Sequence, residues 1–355
     1  EIFDAAVSDQ EGTAQFDDEA APAMGSISAT GRISVRLLTL DRLVQQGVIR
    51  PPQFIKIDVE GAAFGLRTLD CICCLGPFMT VRRRQNCGLQ VRTEVVPVVC
   101  WAIASRPISG GTVKQLVSAT LVSLGIDVID LDFSTTPTVE MAVVFLKADG
   151  GIILTASHNP KQWNALKLLN EKGEFISGED GEMILQMAEQ EDFIFADVNK
   201  IGHYHSVPNY HHLHIEKILA LPLVDTEAIR ARNFKVAVDC VNSVGGVVVP
   251  ALLRALGVSE IIELYCEPNG QFPHNPEPLP EHLGDISKEV RKHNAHLGIV
   301  VDPDVDRLAL ICEDGEMFGE EYTLVAVADY ILKNKKGNTV SNLSSTRALR
   351  DVTEK

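Results

Sequence analysis

Asp302, Asp304 and Asp306 stand at alternate positions behind the apolar run 297–301, with Arg307 beside the last of them. In an extended segment alternate side chains project to one side, so three carboxylates there converge on a common point. Oxygen-only donors suit a hard cation and favour Mg2+ over zinc, and the EF-hand pattern, with its central Gly and closing Glu, is absent. A second segment, Thr155-Ala156-Ser157-His158-Asn159-Pro160, turns out of another apolar run. Ser157 is a hydroxyl nucleophile that needs a base or cationic surroundings to react, and as a phosphoserine it would carry about −2 charge. Asn164 and Lys167 follow, and Lys167 can reach back over the same strand end as a proton acceptor or as a point charge for phosphate. Taken singly, each segment also reads as a solvated turn. Together they supply a phosphate-bearing serine, a cation site and a guanidinium, the parts that phosphoryl transfer requires.

The elements that must position these residues alternate between helix and strand. Helical spacing covers 113–124, Gly125 stops it, and 126–131 is a strand. Thr135-Thr136-Pro137 opens another helix with a hydroxyl cap and an early Pro. A buried strand at 150–154 leads into the Ser157 turn, 165–169 returns as a strand, and 181–190 is amphipathic. A second α/β unit starts near Tyr210, with strands at 235–239, 261–266, 297–301 and 308–312 and a helix at 249–256. After a turn at 313–316, a helix at 321–332 begins a third unit. Such alternation implies layered α/β domains, and two successive units of similar size point to structural duplication without a sequence repeat.

Earlier in the chain, 38–46 reads as a short helix and 54–59 as a buried strand after Pro51-Pro52, with Glu60-Gly61 turning out of it. Residues 71–105 carry Cys71, Cys73, Cys74, Cys87, Cys100 and the run Arg82-Arg83-Arg84, without a sustained period. The cysteine spacing matches no paired zinc pattern, so the segment is expected to be an irregular or frame-shifted junction. His203, His205, His211, His212 and His214 are interrupted by Pro208-Asn209 and are expected to form a solvated linker rather than a transition-metal site.

A net charge of −16 over 355 residues excludes nucleic acid and anionic membrane as general partners, since both reward clustered Lys and Arg. No apolar run is long enough for a membrane span. Cys240, Cys266 and Cys312 lie in apolar stretches and are expected to be buried free thiols, in keeping with a cytoplasmic protein.

The motif set Thr155-to-Pro160, Asn164 with Lys167, Asp302-to-Arg307 and Gly319-Glu320-Glu321-Tyr322 resembles the α-D-phosphohexomutases, most closely the phosphoglucosamine mutase and phosphomannomutase/phosphoglucomutase types, over about residues 106–355. The resemblance implies that Ser157 is phosphorylated in the active state. It implies Mg2+ on Asp302, Asp304, Asp306 and the Ser157 phosphate, and Arg307 on that phosphate. His158 and Lys167 would assist proton transfer, and Gly319, Glu320 and Tyr322, with Asn164, would bind the sugar. The implied substrates are a hexose phosphate and a hexose bisphosphate, with glucosamine 6-phosphate to glucosamine 1-phosphate as the expected conversion.

Departures are visible. Pro303 and Val305 occupy positions where the family often has Gly or another small residue, and the family's early arginine-rich loop is degraded to Ala104-Ser105-Arg106-Pro107-Ile108-Ser109-Gly110. Residues 1–70, through Thr39-Leu40-Asp41 and the segment 51–61, resemble the C-terminal half of an FkbM-type, S-adenosylmethionine-dependent methyltransferase. The expected fold is therefore a series of three-layer α/β mutase domains at 106–205, 206–312 and 313–355, preceded by a partial Rossmann-like methyltransferase segment at 1–70 and the junction at 71–105. The first domain is expected to be incomplete at its start, the third truncated and the fourth missing. The chain as it stands is accordingly expected to be weakly active or inactive. The alternatives are a methyltransferase fragment and a non-catalytic phosphosugar-binding protein.

Overall fold

The computed structural model describes residues 97–104, 110–155, 157, 165–190, 193–319, 322–341 and 346–354, together with the backbone of four strands nearer the N-terminus. The chain divides into two compact units, one formed by Glu1–Ala62 with Gly319–Lys355 and the other by Ala63–Phe318. In the first unit, strands β1 (Ala6–Val7), β2 (Gly12–Asp17), β3 (Ser26–Ile27) and β4 (Ile33–Leu38) make a sheet in the order β1-β4-β2-β3. Only the β1–β4 pair is parallel. The expected helix 38–46, apart from Leu38, and the expected strand 54–59 lie outside the described residues. So do the residues that carry the methyltransferase resemblance and Cys71, Cys73, Cys74 and Cys87.

The second unit contains two sheets. The first is built from β5 (Val98–Ile103), helix α1 (Gly110–Ser123), β6 (Asp127–Phe133), α2 (Thr136–Leu146), β7 (Gly150–Thr155), β8 (Ala165–Leu169), α3 (Gly178–Glu189) and β9 (Tyr204–Ser206). Its order is β8-β7-β5-β6-β9, parallel except for the β7–β8 hairpin. Alternate residues of β5 enter different cores. Val99, Trp101 and Ile103 pack with Val117 and Leu121 of α1 and Ile184 of α3, while Cys100, Ala102 and Ala104 pack with Val139, Ala142 and Val143 of α2.

This central strand is a correction to the expected irregular junction, which ran to residue 105. A parallel strand covered on both faces has no polar face, so Val98-Val99-Cys100-Trp101-Ala102-Ile103 shows no alternation. Cys, Ala and Trp also dilute its β-branched signal.

The second sheet follows helices α4 (His211–Leu219) and α5 (Thr226–Ala231). It comprises β10 (Lys235–Asp239), α6 (Gly245–Leu256), β11 (Glu260–Leu264), α7 (Gly284–His293), β12 (Leu297–Val301) and β13 (Leu308–Ile311). Its order is β11-β10-β12-β13, with β12–β13 the antiparallel pair. Val249 and Leu253 of α6 cover one face, and Ile286 and Val290 of α7 cover the other. Both sheets are therefore the middle layer of three, and each ends in a hairpin whose connection leaves the carboxyl end of an inner strand. Open α/β sheets place ligand loops at that end.

Helices α8 (Tyr322–Asn334) and α9 (Ala348–Thr353) belong to the first unit and pack through Val325, Ala328 and Leu349. Among the described residues no helix is long and apolar enough to cross a membrane.

Candidate active site

Asp302 follows β12 and is wholly buried. Its Oδ1 accepts from the backbone N–H groups of Asp306 and Arg307, both at 3.0 Å, which folds the acidic loop around its first carboxylate. Val305 sits at φ 64, a left-handed conformation that costs a β-branched residue roughly 1–2 kcal/mol. That strain accounts for the small residue that the resemblance expects there.

Three neighbours clamp the loop. Thr136, in the first turn of α2, donates its N–H to the Asp304 carbonyl at 2.9 Å and its hydroxyl to Asp304 Oδ2 at 2.7 Å. Ser243, in the turn after β10, donates its hydroxyl to the Pro303 carbonyl at 2.6 Å. Lys167 Nζ, from β8, donates to Asp304 Oδ2 at 2.6 Å and Asp306 Oδ2 at 2.7 Å.

Among the described residues, the buried carboxylate oxygens Asp302 Oδ2 and Asp304 Oδ1 have no hydrogen-bond partner. One oxygen from each of Asp302, Asp304 and Asp306 lies within 4.8 Å of the others. Orphaned acceptors of this kind are costly unless a cation meets them, so the donor set fits a hard divalent ion. Burial, then the charges of Asp304 and Asp306, push the Asp302 carboxyl well above the usual range. Burial would raise Asp304 as well, but the ammonium of Lys167 and its hydrogen bond reverse this and hold Asp304 low. For Lys167 burial acts downward, and the two aspartates overcome it and raise the ammonium above its ordinary value. On α2, Glu140 is raised to about 7 by burial and then by the charge of Asp306.

Ser157 is half-buried at φ 50, and its N–H donates to Thr155 Oγ1 at 2.7 Å. Thr155 pairs with Ala165 and Ile153 with Lys167, so Ser157 and Lys167 belong to one hairpin. Lys167 carries that hairpin to Asp304 and Asp306, which joins the two segments that the sequence separates. His158, Asn159, Pro160, Asn164 and Glu320 lie outside the described residues. Gly319 and Tyr322 belong to the other unit, where Tyr322 N–H donates to the Gly319 carbonyl at 3.1 Å. Gly319 has φ 106, and a Cβ there would stand 2.8 Å from the Tyr322 ring.

The solvated linker expected of the histidines holds only in part: His203, His205 and His212 are exposed, whereas His211 and His214 pack into the fold. His211 opens α4 and is buried, and His214 Nδ1 lies 2.9 Å from Thr138 Oγ1. Burial lowers the pKa of both rings. Among the described residues the only such gathering of potential metal ligands is Asp302, Asp304 and Asp306. Cys100, Cys240, Cys266 and Cys312 are free thiols, but Cys266 and Cys312 are only half-buried, contrary to expectation. Sequence reasoning missed Ser243 and the Glu277 that pairs with Arg307, and took Thr136 only for part of a helix start.

Fold and site together define a tandem α/β protein with a cluster of three aspartates where its two modules meet. Residues 106–195 match domain I, and residues 212–315 domain II, of the phosphoglucomutase/phosphomannomutase family, both described as alpha/beta/alpha domains. The chain belongs to that family. It is 34% identical over 250 residues to a phosphoglucomutase/phosphomannomutase of Thermococcus kodakarensis, covering 70% of this chain and 54% of that protein. It is 32% identical over 257 residues to a probable phosphoglucosamine mutase of Methanopyrus kandleri, covering 72% and 53%. A family structure from Burkholderia thailandensis superposes with TM-score 0.65 at 25% identity, covering 82% of this chain and 62% of that one. The chain spans about half the length of the curated relatives it matches.

Proposed function

We propose that the chain carries the phosphoryl-transfer centre of a phosphohexomutase, which moves phosphate between C6 and C1 of a hexose through a phosphoserine at Ser157 and a hexose bisphosphate. The observation that carries this reading is the reach of Lys167, on the Ser157 hairpin, to the aspartates of the second module. Asp302, Asp304 and Asp306 would hold Mg2+, which when bound offsets the charge that builds on a transferring phosphoryl group.

The residues divide the rest of the work. Ser157 carries the phosphate. As a sugar hydroxyl attacks phosphorus, the bond from phosphorus to Ser157 Oγ breaks, and the hydroxyl's proton passes to a base, for which His158 is the candidate. Lys167 is held protonated by Asp304 and Asp306, so its role is to supply charge and return a proton to the serine rather than to abstract one. Arg307 is assigned to the phosphate oxygens, and Asn164, Gly319, Glu320 and Tyr322 are the sugar-binding candidates that the family resemblance implies. Glucosamine 6-phosphate is the proposed substrate, supported by the Methanopyrus kandleri relative. The free thiols support a reducing, cytoplasmic setting.

The test is incubation with glucose 1,6-bisphosphate and Mg2+, followed by peptide mass spectrometry. One phosphate is expected on Ser157, none on Ser157→Ala, and none when Mg2+ is chelated. Hexose phosphates added afterwards should discharge it, glucosamine 6-phosphate fastest. Because weak turnover is expected of this chain, the deciding readout is the phosphate that accumulates on Ser157 under excess bisphosphate rather than hexose turnover, and its absence in the wild-type chain would refute the reading.

A further inference from the structure

Arg307 enters the proposed chemistry through its guanidinium, and the loop between β11 and the 3-10 turn Pro280–His282 supplies what aims it. Arg307 Nη1 donates to Glu277 Oε1 at 2.7 Å, with the two side chains 27% and 16% exposed. Glu277 lies between Pro276 and Pro278, which stiffen its backbone, and its N–H donates to Asn275 Oδ1 at 3.1 Å. The next anchor is His274. Its Nδ1 lies 2.7 Å from the Asn275 carbonyl and its Nε2 3.0 Å from Asp239 Oδ2. A carbonyl only accepts, so Nδ1 carries a hydrogen and the ring is directed rather than free to turn. Asp239 ends β10, is buried, and accepts from the Val241 N–H at 3.1 Å through its other oxygen. The loop is also held near its start, where Asn242 Nδ2 donates to the Gln271 carbonyl at 2.9 Å and the Gly270 N–H donates to the Asn242 carbonyl at 3.0 Å.

A continuous line of contacts thus runs from the end of β10 through Asp239, His274, Asn275 and Glu277 to Arg307. Half-buried ion pairs return little net stability because desolvation opposes them. Their better-founded use is to fix geometry, and a guanidinium already held in one rotamer loses less entropy when it engages phosphate.

We propose that Glu277 is a positioning residue for Arg307, and that the Asp239–His274 contact fixes Glu277 in turn. The catalytic part of this inference rests on the mutase reading. Glu277→Gln preserves shape and removes the charge. Wild-type, Glu277→Gln and Glu277→Asp chains are compared for the rate of Ser157 phosphorylation by glucose 1,6-bisphosphate with Mg2+. In parallel, the order of the Arg307 Nε–Hε group is followed by NMR without substrate.

Glu277→Gln is expected to slow phosphorylation roughly tenfold or more through kcat, with KM little changed, and to leave Arg307 more mobile. Glu277→Asp should recover part of both. An Arg307 group as ordered in Glu277→Gln as in the wild type would overturn the proposal, as would an unchanged rate beside an active wild type. If the wild type takes no phosphate the mutase reading falls, and the NMR comparison still decides the positioning role.

Discussion

Lys167 holds together a cluster that would otherwise repel itself. One ammonium serves Asp304, which is wholly buried, and Asp306, while Asp302 stands behind them with its own buried carboxyl. Replacing Lys167 with Met keeps the apolar stem and removes the charge, so the buried Asp304 carboxylate loses its ammonium partner. Breaking a buried pair from one side costs about 3–5 kcal/mol. A divalent cation supplies positive charge at the same carboxylates, so the deficit is expected to shrink when Mg2+ is added. Thermal melts of the wild type and Lys167→Met, with Mg2+ and with a chelator, read this as a gap in Tm that narrows with the metal. A gap of equal size in both conditions would mean that the triad does not take the ion. The strain at Val305 belongs to the same scale: an unfavourable backbone angle persists because Asp302 Oδ1 accepts from the two N–H groups that follow it.

The loop that carries His274 and Glu277 is the element whose behaviour should depend on pH. Burial lowers the His274 pKa, but the hydrogen bond and charge of Asp239, the Asn275 carbonyl and the charge of Asp285 outweigh it, and the net shift is upward from 6.5. The Tyr265 ring packs edge-on against the imidazole. A raised folded-state value means that the contribution to stability is complete below 6.5 and fades as pH climbs through the folded-state value. The stability difference between the wild type and His274→Asn is therefore expected to be largest in mild acid and to narrow in alkali, as measured by urea unfolding across pH. A difference that widens with rising pH would contradict the ion pair.

Legibility varied among elements for physical reasons. Strands 165–169, 235–239 and 297–301 were readable because apolar runs ended at polar turns. Helix α7 was not, since it buries only Ile286 and Val290 and its cap residue, Leu283, offers no side-chain hydrogen bond. Helix α4 was hidden by histidines behind Pro208-Asn209, because the burial of His211 is set by packing that no local pattern records. In the candidate site, residue type and spacing singled out the three aspartates, Ser157 and Lys167, and the structure brings Lys167 to Asp304 and Asp306. Thr136, Ser243 and Glu277 acquire theirs only when remote backbone arrives beside them.

Across residues 97–318, the two sheets are joined by shared packing as well as by the acidic loop. Val244, at the cap of α6, and Val248 within it share a core with Cys100, Ala102, Leu131, Val139 and Val143 of the first module, while Val249 and Leu253 of the same helix face the second sheet. Tyr210, ahead of α4, joins the first of these cores. Ser243 Oγ donates to the Pro303 carbonyl at 2.6 Å and lies 3.4 Å from the Ala104 carbonyl, so one hydroxyl touches both modules beside the site. A helix committed to two cores cannot leave one without exposing the other, and groups in one network lose stability together. Hydrogen exchange of the β5 and β12 backbones is therefore expected to report similar opening free energies, and Val248→Ala should lower both. If β12 opened several kcal/mol more readily than β5, or if Val248→Ala weakened one sheet and spared the other, the modules would be separate folding units. Lys167 and the aspartates would then meet only transiently, and the proposed phosphoryl transfer would depend on a docking equilibrium between the modules.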